Sequence, residues 1–239
     1  MKAQILKTLA ALALITTSAL AQEAPMENRT ASYIAMPAAE GQTEAFAKFL
    51  AGAAPIVADN EPGTVLWFAL QAEDTLAIFD IFVDEEARNA HFSGAVAAAL
   101  NQNAEALVAG GWDDGVVANI NNSDVLSMRE PVDLNSATTA TYITLEAAPG
   151  KGPELAALLT AAGPIVGETE PGTLFWAALQ IDETSFAIFD IFANNAGREA
   201  HFAGQVAGLL KERAAELVAG GWDDGVVANV HNFDILAIK

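Results

Sequence analysis

Residues 30–36 alternate apolar with polar side chains and include Tyr33 and Ile34, which predicts a strand. Residues 41–58 place Phe46, Phe49, Leu50, Ala53 and Val57 at helical spacing, and Pro55 should kink or end that helix. Glu61-Pro62-Gly63 is a turn, in which proline presets one dihedral and glycine accepts a positive φ. Residues 65–70 and 76–82 read as strands around a polar turn at Glu73-Asp74. Asp84 suits the cap of a helix over 85–92. Gly94 separates that helix from a second, over 95–109, which closes at Gly110-Gly111. A last strand opens at 116–120 and continues toward 127. Strand, helix, strand, strand, helix, strand is the ferredoxin-like plan, an antiparallel four-stranded sheet with helices on one face.

The whole plan occurs twice. Glu61-Pro62-Gly63-Thr64 returns as Glu170-Pro171-Gly172-Thr173, and Ala77-Ile78-Phe79-Asp80-Ile81-Phe82 returns at 187–192. The block LVAGGWDDGVVAN at 107–119 returns unchanged at 217–229. A period near 110 is too long for a solenoid and indicates a duplicated domain. The first unit covers 30–127, the second 139–239, and 128–138 reads as a linker. The strands at 65–70 and 76–82 are apolar on both faces, yet helices can cover only one. The second copy is expected to cover the other face, pairing the units through their sheets and leaving a cavity between them. The fold class is therefore α+β, an internal pseudo-dimer.

Composition adds a compartment and removes several partners. Lys2 and Lys7 precede an apolar run over 8–20, and Ala19-Leu20-Ala21 offers a cleavage site, so residues 1–21 read as a secretory signal peptide. The protein is accordingly expected to be periplasmic or secreted, free of the membrane after cleavage. Removal of that segment leaves nine basic against 31 acidic residues, a net charge near −22. Such a surface repels nucleic acid and anionic lipid. Cysteine is absent, which removes disulfides, thiolate metal sites and cysteine nucleophiles. Phosphate-loop, dinucleotide, nucleophile-elbow and zinc-protease motifs are also missing.

Asp80 and Asp190 are the first candidates for chemistry, because each interrupts an Ile-Phe-Asp-Ile-Phe strand. A carboxylate there must be paired, protonated or beside a cavity. It serves either as a general base with a raised pKa or as a structural carboxylate held by backbone or by Arg88 and Arg198. His91 and His201 follow one helix later and can shuttle protons, or pack at the sheet edge. Trp67 and Trp176, with Phe68 and Phe175, can stack on an aromatic ligand or simply fill the core. The repeated LVAGGWDDGVVAN block either closes one barrel mouth or acts as a helix stop leading into the last strand. With only His231 left beside the two helical histidines, no metal site is expected.

The run Pro55-Ile56-Val57, Glu61-Pro62-Gly63-Thr64, Phe79-Asp80-Ile81-Phe82 and Arg88-Asn89-Ala90-His91-Phe92 resembles the antibiotic biosynthesis monooxygenase family. The second unit repeats it through Pro164, Glu170-Pro171-Gly172, Phe189-Asp190-Ile191-Phe192 and Arg198-Glu199-Ala200-His201-Phe202. The resemblance implies a dimeric α+β barrel, built here within one chain. It further implies cofactor-independent oxidation of quinol- or polyphenol-like substrates with O2, with Asp80, Asp190, His91 and His201 as catalytic candidates. The alternative is a non-catalytic binding or structural module. Haem-degrading members carry Trp, Asn and His where this chain has Phe82 and Phe192, Tyr33 and Tyr142, and Asn101 and Lys211, so haem is not implied. Trp67, Trp176, Phe82, Phe192, Tyr33 and Tyr142 are then expected to line a cavity for a small apolar or aromatic molecule, with no cofactor.

Overall fold

The computed structural model describes residues 29–239. The signal-peptide reading of residues 1–21 falls outside them. The first half runs β1 (Thr30–Pro37), α1 (Thr43–Ala51), α2 (Ala54–Asn60), β2 (Thr64–Ala72), β3 (Thr75–Phe82), α3 (Glu85–Phe92), α4 (Ala95–Leu107) and β4 (Ile120–Arg129). The second runs β5 (Thr139–Glu146), α5 (Gly152–Thr169), β6 (Thr173–Gln180), β7 (Ser185–Phe192), α6 (Asn195–Phe202), α7 (Gln205–Leu217), α8 (Gly221–Gly225) and β8 (Val230–Ile238). β4 extends through Met128 and Arg129, the first two residues of the stretch expected to be linker.

The strands close into one barrel in the order β1-β3-β2-β8-β5-β7-β6-β4. Closure depends on exchange. β4 starts beside β1 of its own half and ends beside β6 of the other, while β8 starts beside β5 and ends beside β2. No strand edge is left open, so the barrel lacks the unpaired backbone that invites aggregation. Neighbours are antiparallel throughout, so β1 and β5, four places apart in the ring, run parallel on opposite walls. The internal twofold axis therefore lies along the barrel.

Two apolar layers result. Helices pack on the outside of the barrel, burying Phe46, Leu50, Val57, Trp67 and Ile78 in the first half and Leu155, Leu159, Trp176, Ile188 and Leu210 in the second. The lumen is a third core, shared by both halves. Side chains meet in pairs across the axis: Tyr33 stacks on Tyr142 at 3.8 Å, and Phe79 on Phe189 at 3.7 Å. Phe68 and Phe175 fill the remaining width, 6.4 Å apart. The expected cavity between the sheets is thus occupied by aromatic side chains, and open space lies instead at a barrel mouth.

Local sequence explains where the halves differ. Gly52 breaks the first-half helix, which restarts at Ala54 with Pro55 near its first turn. The second half has Ala161 at the matching place, and α5 continues through Pro164. Gly163 lets α5 approach Ser127 and Met128 of β4, where a Cβ would collide. The repeated block is a helix stop leading into a strand. Gly110, Gly111, Gly220 and Gly221 have positive φ, and a Cβ on Gly115 would lie 2.5 Å from the Ala109 carbonyl. No helix among the described residues is long and apolar enough to cross a membrane.

Candidate functional site

Two kinds of site emerge, on opposite faces of the sheet. The first is a buried polar cluster, built once in each half. On β3, Ala77, Phe79 and Ile81 face the lumen, so Asp80 faces the helices beside Ile78. It is fully buried, as is Asp190. A polar row crosses the sheet at this level: Asn122, Ser32, Asp80 and Trp67 are successive register partners on β4, β1, β3 and β2. Asn232, Thr141, Asp190 and Trp176 repeat the row. Ser32 Oγ donates to Asn122 Oδ1 at 2.7 Å, and Thr141 Oγ1 to Asn232 Oδ1 at 3.0 Å.

Above the aspartate sits the histidine of α3 or α6. His91 Nε2 is 3.7 Å from Asp80 Oδ2, and His201 Nε2 is 3.6 Å from Asp190 Oδ1. The other ring nitrogen, Nδ1, donates at 2.5 Å to Glu61 Oε2 or Glu170 Oε2. Thr64 and Thr173 donate to the same oxygens at 3.1 and 3.2 Å. The Glu-Pro-Gly-Thr sequence is therefore more than a turn, since its first and last residues hold the histidine. Glycine makes the close approach possible. A Cβ on Gly94 or Gly204 would lie 2.8 or 2.6 Å from the glutamate Oε1, and one on Gly63 would lie 2.6 Å from Ala87 Cβ.

The electrostatics favour a proton in this cluster. Burial raises Asp80 to about 7, with the His91 charge opposing and Glu61 reinforcing the shift; Asp190 is raised to about 7 in the same way by its own His201 and Glu170. Burial lowers His201, but Asp190 and Glu170 outweigh it, so its pKa ends above the ordinary value. Both oxygens of each aspartate, and Trp67 Nε1 and Trp176 Nε1 beside them, lack a hydrogen-bond partner. A neutral carboxylic acid is the form that such surroundings tolerate. The cluster can hold a proton between acid and imidazole, but it is sealed beneath α3 or α6.

Each turn is also closed by a cation from the other half. Lys239, following β8, donates to the Glu61 and Thr64 carbonyls. Arg129, on β4, donates to the Glu170 carbonyl at 2.7 Å.

The second site is a cleft of about 930 Å³ at a barrel mouth, lined by both halves. Its floor includes the stacked Tyr33 and Tyr142. Asn121, His231 and Phe233 rise from β4 and β8; Gln71, Glu73 and Thr75 come from the β2–β3 hairpin; Asn195 and Arg198 come from α6. Burial raises the pKa of both tyrosines, so their hydroxyls stay protonated donors.

No family model and no curated protein matches the chain. Solved structures do. A Fusobacterium nucleatum protein with a provisional monooxygenase name aligns at TM-score 0.73 and 14% identity, over 89% of this chain and 94% of its own. A Lactobacillus acidophilus protein, also provisionally named a monooxygenase, aligns at 0.70 and 10%, over 88% and 95%. The chain has the antibiotic biosynthesis monooxygenase-like fold. An anthrone oxidase-like protein aligns at 0.52 and 10%, over 88% and 92%. These matches span both halves, as expected of a tandem pseudo-dimer.

Within this monooxygenase-like fold, the residues expected to share one cavity are divided between two faces. Tyr33 and Tyr142 reach the mouth cleft. Asp80, Asp190, Trp67 and Trp176 lie on the helix side, with His91 and His201 over them. Phe82 and Phe192 also lie there, 5.4 and 5.5 Å from those histidine rings. Period two ties Asp80 to Ile78 and Phe82 but cannot say which face they share, because both faces are apolar. Arg88 and Arg198 do not hold the aspartates; they contact Glu85 at 3.5 Å and Asn195 at 2.9 Å. Glu61, Glu170, Arg129 and Lys239 were not identified from sequence. The recurrence of Glu-Pro-Gly-Thr in both halves was the available signal for the two glutamates.

Proposed function

We propose that this protein binds a small aromatic molecule bearing phenolic or quinol oxygens in the mouth cleft and oxidises it with molecular oxygen, without a cofactor. In oxygenation of an activated ring methylene, one oxygen atom becomes the new carbonyl. The other leaves as water with the two displaced hydrogens, so no external reductant is required. The observation that carries this reading is the tyrosine pair. Two stacked phenols lie at the floor of a cleft large enough for such a ligand, and neither hydroxyl has a hydrogen bond to protein among the described residues. His231, on the cleft wall, is the group placed to accept a substrate proton. The monooxygenase and anthrone oxidase-like names of the structural neighbours agree with this chemistry, although a shared fold alone does not fix an activity. Asp80 and His91 then act as a clamp holding the barrel wall, and the leader-like pattern of residues 1–21 supports a reaction outside the cytoplasm.

An oxygen electrode tests this with quinols, polyphenols and anthrone. The expected result is uptake by the purified protein that falls at least tenfold in Tyr33→Phe/Tyr142→Phe, about the loss of one hydrogen bond made in the transition state. Uptake equal to the protein-free rate across the panel overturns the oxidase reading. The packed lumen favours a second reading, binding without turnover. Native mass spectrometry finding a retained aromatic ligand in protein that consumes no oxygen supports that one.

A further inference from the structure

The duplication lets each half serve as the control for the other, and the two halves differ systematically around the mouth cleft. In the first half α3 is preceded by Asp84 and begins Glu85-Glu86; in the second, α6 is preceded by Asn194 and begins Asn195-Ala196. Arg88 is paired with Glu85 at 3.5 Å, whereas its counterpart Arg198 contacts only the neutral Asn195, at 2.9 Å, and forms no ion pair among the described residues. The first-half recess beside α3 is lined by Asp84, Glu85, Glu86 and Asp124, and its Arg29 is engaged by Glu130 at 3.3 Å. On the last strands, Asn121 and Ser123 of the first half correspond to His231 and Phe233 of the second. Phe233 packs edge-on against Tyr33 at 6.4 Å. In a chain of net charge −20, the second half has Asn194, Asn195 and Ala196 where the first has Asp84, Glu85 and Glu86, but Glu199 where the first has Asn89. It therefore carries two fewer acids around its arginine, together with an imidazole and an aromatic wall. These changes converge on one cleft.

We propose that the cleft is one asymmetric site per chain, in which the second half supplies the polar anchor for a planar aromatic bearing an oxyanion. Resting on the cleft reading above, this adds stoichiometry and charge preference. The aromatic plane lies against the Tyr33–Tyr142 floor and Phe233, and the oxyanion meets the Arg198 guanidinium. Glu73 and Asp234 line the same cleft. They restrict the tolerated anion to one small charge directed at Arg198, and disfavour dianions.

Calorimetric titration with 2-hydroxy-1,4-naphthoquinone, ionised at neutral pH, tests this against its neutral 2-methoxy ether. One molecule of the hydroxyquinone is expected to bind per chain, and the ether roughly tenfold more weakly. Arg198→Ala should weaken the hydroxyquinone about tenfold. Asn195→Glu, which restores the carboxylate that Arg88 has, should weaken it severalfold, and Arg88→Ala should leave it unchanged. Two molecules per chain, equal affinity for the ether, or an unaffected Arg198→Ala overturns the proposal. If the ether binds once and equally well, the anion anchor falls while the cleft stands. Hydroxyquinone binding as expected in a protein that consumes no oxygen removes the oxidase reading and keeps this one.

Discussion

Asp80 and Asp190 are carboxyl groups where no solvent reaches them, and their protons are therefore linked to folding. Each is held at about 7 by burial, against 3.8 for a free side chain. Between those values the folded chain keeps protons that the unfolded chain has released. Their contribution to stability is therefore full below about 4 and is lost as pH rises through about 7. His201, raised above its ordinary value, acts in the same direction, its contribution fading as pH passes that raised value. The thermal midpoint should fall between pH 5 and pH 8, and fall less in Asp80→Asn/Asp190→Asn, where asparagine mimics the neutral acid. Identical pH slopes in scanning calorimetry contradict this assignment. Sequence singled out these residues correctly as unusual, since an aspartate inside an apolar strand needs an explanation. It could not give their partners, because Glu61 lies 30 positions from His91 and only folding brings a turn glutamate under a helix.

At the scale of elements, the exchanged strands do two jobs. They close the barrel, and their ends deliver Arg129 and Lys239 to the Glu-Pro-Gly turn of the opposite half. Both cations lose solvation there, which lowers their pKa values, while the facing glutamates partly offset the loss. A charged hydrogen bond of this kind is worth roughly 1.5–3 kcal/mol, less when partly exposed. Arg129→Ala and Lys239→Ala should each cost about 1 kcal/mol in denaturant unfolding, and each should loosen the histidine of the other half. The second effect is read as a changed His91 ring resonance in Lys239→Ala; a change confined to His201 contradicts the exchange. The repeat and the succession of strands and helices along each half were legible in the chain. The exchange was not, because a strand's hydrophobic pattern does not record which neighbour its second half will meet.

The whole molecule is a barrel with an aromatic spine. Strands apolar on both faces required a second cover, and the duplication provided it, so the pairing of the two sheets followed from pattern, while the barrel itself was implied by the family resemblance. Whether the shared interior would be hollow depended on side-chain volume. Leu66 and Phe68 in one half correspond to Phe175 and Ala177 in the other, a complementary exchange of bulk within the shared core. Phe189→Ala, which removes half of the stack on Phe79, should cost about 3–5 kcal/mol in thermal or denaturant unfolding. A loss below about 1 kcal/mol would mean the lumen was loosely packed.

The central claim is that ligand chemistry takes place at the barrel mouth and that the buried Asp-His-Glu clusters are clamps. A crystal structure of the protein soaked with 2-hydroxy-1,4-naphthoquinone tests it most directly. One molecule over the Tyr33–Tyr142 pair, with its oxygen toward Arg198, is the predicted result. A molecule lodged between α3 and β3 against Asp80 and His91, with the mouth cleft empty, would contradict it.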